Sequence, residues 1–176
     1  DLSNCSLTDA SCSALARGAL RYRASLRWLD LSGNDISDAG AEAIATAITS
    51  TPRLECLALS RNRIGDVGAD ALAALLQAPS VLRTLYLNDN DIGGKGVASI
   101  SASLSSNSSL ICLDLSFCRG LLRGGASELR EAAKALGAAL AKNATLQWLA
   151  LEGVRFGKAI ESLGEALKSN ACLARI

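Results

Sequence analysis

The sequence predicts an α/β fold: a right-handed α/β solenoid, with a parallel sheet along a concave face and helices along a convex face. Three observations predict it. A block of similar residues recurs at constant spacing. Inside each block the apolar residues alternate with period two. Between blocks they recur at helical spacing.

The blocks are LRWLDLSGNDI from Leu26, LECLALSRNRI from Leu54, LRTLYLNDNDI from Leu82, LICLDLSFCRG from Leu110 and LQWLALEGVRF from Leu146. The first four open 28 residues apart, and the step from Leu110 to Leu146 is 36, an eight-residue insertion. Leu173 opens a further block, and DLSNCSL at the start fits the second half of an earlier one. A fixed period of this length marks a repeat architecture. The expected organisation is one domain over residues 1–176, about six repeats of ~28 residues, with the insertion near residues 117–127. Neither end shows a polar cap, although solenoids usually need one. The sequence also contains no Met. A longer array is therefore expected around this chain.

Each element has a local cause. In WLDL, Leu29 and Leu31 point inward while Trp28, Asp30 and Ser32 point outward, as a strand requires. The helical pairs are Ile44 and Ile48, Leu72 and Leu76, Ile100 and Leu104, Leu136 and Leu140, and Leu163 and Leu167. Asp38 is expected to be the N-cap of its own helix. Small residues such as Gly40, Gly68 and Gly96 allow close approach between elements. Strand–crossover–strand units are right-handed in nearly all cases. Strands pack about 4.8 Å apart and helices about 8–10 Å apart, so the stack bends with its strands on the inside.

One column past the strands reads Cys5, Asn34, Asn62, Asn90, Cys118, Val154. A buried Asn there can pair the backbone of the turn. Cys serves as a small buried weak donor. Val154 has no polar atom to offer, so an irregular last turn is expected. The blocks match L-x-x-L-x-L-x-x-N/C-x-L/I, the leucine-rich-repeat signature. With a full helix per repeat, the chain resembles the ribonuclease-inhibitor-like subfamily of leucine-rich-repeat proteins over essentially its whole length. Similar arrays occur in ribonuclease inhibitor, NOD-like receptors, Ran GTPase-activating proteins and several ciliary and cytoskeletal proteins. The resemblance implies a horseshoe that binds a partner protein and is not an enzyme. Its alternative implication is regulation of a small GTPase, as by Ran GTPase-activating proteins. Arg119 or Arg123 would then assist phosphoryl transfer. The acidic tail typical of those proteins is not found in this sequence.

Composition narrows the classes. The net charge is +1, without the basic bias of a nucleic-acid binder. No apolar run is long enough to span a membrane, and the first residues do not read as a signal peptide. There is no His, which excludes a Ser-His-Asp or Cys-His site within the chain. The six cysteines form no C-x-x-C pair, so no metal site is expected. No catalytic residue and no cofactor is expected. The cysteines' repeat positions suit reduced thiols in a cytoplasmic protein.

The candidate partner-binding residues lie on the outward strand positions and just beyond. They are Trp28, Asp30, Tyr86, Asn88, Asp114, Phe117, Trp148 and Glu152, joined by Arg119 and Arg123 of the insertion. Both Trp residues fall in these columns, and Trp and Tyr are enriched at binding hot spots. A purely structural reading has Trp28 and Trp148 shielding the strands. Cys56 and Cys112 share a column two strands apart, roughly 10 Å and beyond disulfide reach. Cys5 and Cys118 are expected as structural column residues. The insertion has two readings, a functional loop or the lead-in to a long helix over Ser127 to Ala141. Asn107 and Asn143 sit in glycosylation-like triplets, but NSSL, NATL and NACL recur just before a strand Leu, where Asn ends the preceding helix. Asn4 lies in a third such triplet and is likewise discounted. Gly93-Gly94-Lys95-Gly96 does not fit a Walker loop.

Overall fold

The computed structural model describes residues 1–18, 20, 25–49, 51, 53–78, 81–154 and 156–176. Strands and helices alternate as α1 (Asp9–Arg17), β1 (Trp28–Asp30), α2 (Asp38–Ile48), β2 (Cys56–Ala58), α3 (Asp66–Gln77), β3 (Thr84–Tyr86), α4 (Gly94–Leu104), β4 (Cys112–Asp114), α5 (Arg119–Arg123), α6 (Ala126–Leu140), β5 (Trp148–Ala150) and α7 (Ile160–Leu167). The five strands form one parallel sheet in sequence order. Trp28, Cys56, Thr84, Cys112 and Trp148 lie in register across it. The result is an α/β solenoid.

The core runs along the stack as columns. Leu57, Leu85, Leu113 and Leu149 are fully buried, as are Leu31, Leu59, Leu87 and Leu115 in the next column. The first residue of every helical pair and most of the second are buried beneath them, with Leu167 only partly so. Burying one such side chain contributes about 1.5–3 kcal/mol. A single repeat has one sheet row and one helix, so it can bury its apolar side only against its neighbours.

Polar side chains carry the stack where leucines cannot. Asn90, fully buried, donates from Nδ2 to the Leu59 and Leu87 carbonyls (2.9 Å each) and accepts at Oδ1 from the Ile64 N–H (3.0 Å). Asn62 repeats this with Leu31, Leu59 and Ile36, and Asn34 with Leu2, Leu31, Cys5 and Leu7. Cys118 keeps one bond of the set, from its thiol to the Leu87 carbonyl at 3.6 Å. Cys5, expected in the same buried role, is exposed, and its thiol donates to the Ser3 carbonyl (3.3 Å). Val154 makes no side-chain bond. A 3-10 turn (Gly157–Ala159) then leads into the short α7.

A second ladder runs along the helix starts, and here the expectation for Asp38 is corrected. Ser37, not Asp38, is the N-cap of α2, and it makes no side-chain capping bond. Asp38 is the first helical residue, and its carboxylate accepts from Gly65 and Gly68 N–H of the next repeat (2.6 and 2.9 Å). Asp66 does the same for Gly93 and Gly96 (2.7 and 2.8 Å), and Asp9 for Ser37 and Gly40 (2.8 and 2.9 Å). Each carboxylate therefore caps the following helix, satisfying first-turn donors that have no partner inside it. The small residue at the third helical position follows from this. A Cβ on Gly68 would stand 2.8 Å from Asp38 Oδ1, and one on Gly96 2.8 Å from Asp66 Oδ1. The Gly93 and Gly94 amides are occupied by Asp66 and Glu128, which leaves them no role as an anion loop.

A third ladder closes the helix ends. Asn107, Asn143 and Asn170 donate to the Leu76, Leu104 and Leu140 carbonyls at the end of the helix one repeat earlier (2.8, 2.8 and 2.6 Å). Their Oδ1 atoms accept from two amides each at the start of the next strand. Engaged through both ends of the amide, Asn107 and Asn143 are structural residues.

The insertion has a structural seat. Arg119 and Leu121 N–H donate to the Asn90 and Ile92 carbonyls (2.7 and 3.0 Å), so α5 lies along the loop before α4. A Cβ on Gly120 would fall 2.5 Å from three backbone atoms of residues 91–93, so only glycine fits. The long helix starts one residue earlier than expected, at Ala126.

Asn90→Ala leaves the Ile64 N–H buried and unpaired, and strips the Leu59 and Leu87 carbonyls of one donor each, leaving them Asn62 and the Cys118 thiol. It is expected to cost about 3 kcal/mol, and Asn34→Ala, where water reaches the site, about half of that. Urea unfolding of both variants measures the difference, with the midpoint lowered and the slope unchanged.

Candidate functional site

The outward positions of the five strands form the floor of the concave face. They are less open than alternation alone predicts. Cys56, Ala58 and Cys112 are buried, as are Ser32 and Ser116. Strands about 4.8 Å apart let tall side chains cover short ones on the same face. Serine is further tied down. Ser116 Oγ accepts from the Glu152 N–H (3.1 Å), and Ser60 shares a hydrogen bond of 2.5 Å with Asn88.

The aromatic residues separate into two groups. Trp28, at the β1 end, is 60% exposed, an unusual position for a large apolar ring. Trp148, at the β5 end, packs edge-on against Tyr86 across β4, with ring centroids 6.2 Å apart at 70°. The Arg175 guanidinium lies over the Trp148 ring, 5.7 Å from its centroid. Trp148 and Tyr86 therefore cover Cys112 and hold one another. The shielding role fits them and does not fit Trp28.

The remaining candidates sit along the rim. Asp30 and Asp114 each accept the backbone N–H two residues on, from Ser32 (2.8 Å) and Ser116 (2.9 Å). Asn88 is engaged by Ser60 and Asp89. Just beyond the strands Gly33, Arg61, Asp89, Phe117 and Gly153 all take positive φ, between 53° and 80°. This left-handed residue turns the chain out of every strand. At Arg61, Asp89 and Phe117 it costs about 1 kcal/mol or more that glycine would not incur. Phe117 stays 40% exposed, with its ring edge over Gly153. Asp89, Asp114, Phe117, Trp148, Glu152 and Arg175 line a cleft of about 650 Å³ at this end of the face. Arg119 is drawn away from it into an ion pair with Asp91 (3.3 Å). Arg123 is exposed at the end of α5, apart from the strand rows. Sequence reasoning missed Arg175, whose position opposite Trp148 in a parallel bridge was implied by Leu173 opening a further block.

All six cysteines are free. Burial pushes the Cys118 thiol from the ordinary 9.0 up to about 12, and the Cys12 and Cys112 thiols up to about 11, with nearby carboxylates adding to each. Burial first, then the neighbouring Cys112, Cys56 and Asp114, also pushes the Tyr86 phenol up. Buried and held protonated, the Cys12, Cys112 and Cys118 thiols pack as small apolar groups.

Residues 24–45, 52–73 and 79–101 match the family model for a leucine-rich repeat. No curated protein matches the chain. Among solved structures, the chain is similar to leiomodin-1 actin-binding site 2, with 23% identity and a TM-score of 0.67 over 86% of this chain and 87% of that one. It is also similar to the tropomodulin C-terminal domain of Caenorhabditis elegans, with 19% identity and a TM-score of 0.68 over 92% of each chain. Together with the parallel sheet, these likenesses identify the fold as a leucine-rich-repeat α/β solenoid. No helix among the described residues is long and apolar enough to cross a membrane.

The raised thiols set a pH dependence. The folded state holds these protons more tightly than the unfolded chain. Their contribution to stability is therefore intact below about 9 and is lost as pH rises toward about 12. A thiol reagent at about pH 8 is expected to label Cys5 and Cys172 first and the buried four only on unfolding. Mass mapping of the labelled sites checks this.

Proposed function

We propose that the chain is a non-enzymatic scaffold of the ribonuclease-inhibitor-like kind, working in the cytoplasm and binding a partner protein on its concave face. The observation that carries this reading is Trp28, a large ring 60% exposed on a strand of an ordered sheet. At the opposite end of the same sheet stands the Tyr86–Trp148–Arg175 group. Four strand intervals of about 4.8 Å separate Trp28 from Trp148, a span suited to a protein rather than a small molecule. A face already built by backbone bonds adds little ordering cost on binding. The repeat of 28 residues, the helix in each and the Asn and Cys column support the subfamily.

Actin is the first partner to test, because one protein of the same fold is described as an actin-binding site. The GTPase-regulator reading has less support. Arg119 is held by Asp91, and no observation singles out Arg123 for catalysis.

Affinity capture and actin co-sedimentation are expected to yield a stoichiometric partner. Trp28→Ala alone is expected to weaken binding by about 2 kcal/mol, and Trp28→Ala with Tyr86→Ala and Trp148→Ala to abolish it. Circular dichroism checks that the variants stay folded. Undiminished capture by the triple variant would place the partner on another surface.

A further inference from the structure

The cleft at the β5 end of the concave face has a charge pattern found at no other described part of the sheet. Asp114 lies on β4, Asp89 in the left-handed turn after β3, and Glu152 two residues past β5. All three line the same 650 Å³ cleft. Asp114 gives one oxygen to the Ser116 N–H, and Asp89 one to the Asn88 amide (3.0 Å). No lysine or arginine pairs with any of the three among the described residues. Elsewhere Glu55, Asp35, Asp91 and Glu165 each hold a cation. The Trp148 ring lines the same cleft and already accepts a guanidinium from Arg175 on its face at cation–π distance. Phe117 and Ile176 complete an apolar side.

We propose that this cleft is a socket for a basic side chain, arginine or lysine, presented by the bound protein; the proposal rests on the concave-face reading above. The charge decides the occupant. An apolar group would take three carboxylates out of water without compensation. An anionic group would be repelled. A cationic head meets the carboxylates while its methylenes lie along Trp148 and Phe117, as long basic side chains do on apolar surface. A metal ion does not fit the pattern, because among the described residues no three ligands converge closely enough to hold one. Arg175 lines the same cleft and offsets one of its three negative charges, but it rests on the ring and makes no ion pair with Asp89, Asp114 or Glu152, so the cleft stays net negative.

The two tryptophans make the test direct, because their indole N–H resonances separate the two ends of the face. The probes are acetyl-arginine amide and its neutral isostere acetyl-citrulline amide, titrated at about 20 mM ionic strength, where charge pairs are least screened. The expected result is a saturable shift of the Trp148 indole with the arginine probe alone, while Trp28 stays in place. Asp114→Asn with Glu152→Gln keeps the oxygen that pairs with Ser116 and is expected to weaken the midpoint about tenfold. Any one of four results overturns the proposal: no saturable shift, equal shifts at both tryptophans, an equal response to citrulline, or an unchanged midpoint in the double variant. If the arginine probe fails while partner capture still depends on Trp28, the socket falls and the concave-face reading stands. If capture ignores all three aromatic residues, the concave-face reading falls too.

Discussion

The structure depends on side chains of one repeat pairing the backbone of the next. Every repeat turns the chain from strand to helix and back, and each turn strands N–H and C=O groups where a regular ladder cannot reach them. An unpaired buried group of this kind costs about 1–3 kcal/mol. Asn62 and Asn90 resolve the turn out of the strand, Asp38 and Asp66 the start of the helix, and Asn107, Asn143 and Asn170 its end. In each case at least one partner lies one repeat away. Leucine burial supplies the bulk of the stabilisation, but it has no direction along the stack. The amides and carboxylates fix the register, because a slip of one residue would leave every one of them facing the wrong group.

The same bonds explain what the sequence does and does not reveal. The leucine columns and the Asn column are legible because each is a local pattern repeated at one period. The third ladder was half legible: NSSL, NATL and NACL stood out, but not that their amides reach the helix of the repeat before. Asp38 was misread because an acidic residue before an apolar helical run looks like a cap for that run. Its true partners, Gly65 and Gly68, are 27 and 30 residues away. The signal was present in the Asp-x-Gly spacing, where a glycine at the third helical position serves no purpose within its own helix. The burial of Cys56, Cys112 and Ser116 was hidden for another reason. Alternation assigns a side chain to a face and says nothing of how tall its neighbours are.

This framework also shapes the candidate site. Short side chains at Cys56, Ala58 and Cys112 form a low floor, so the rings at its two ends stand above it. The left-handed residue after each strand sends Asp89 and Phe117 outward at the rim, next to Asp114 and Glu152. Those positions are set by the backbone of the repeat. They can change chemistry without disturbing the stack, which is how a regular scaffold acquires a specific surface. The start of the insertion packs on the scaffold, since Gly120 lies against backbone and Arg119 pairs with Asp91.

Amide hydrogen exchange tests the inter-repeat ladder most directly. First-turn helix amides normally exchange fast for want of an internal partner. Here Gly65, Gly68, Gly93 and Gly96 are predicted to be as protected as the middle of α3. In Asp66→Ala, Gly93 and Gly96 are predicted to lose that protection while Gly65 and Gly68, capped by Asp38, retain it. Fast exchange at all four in the unmodified chain, or equal loss at all four in the variant, would contradict the account.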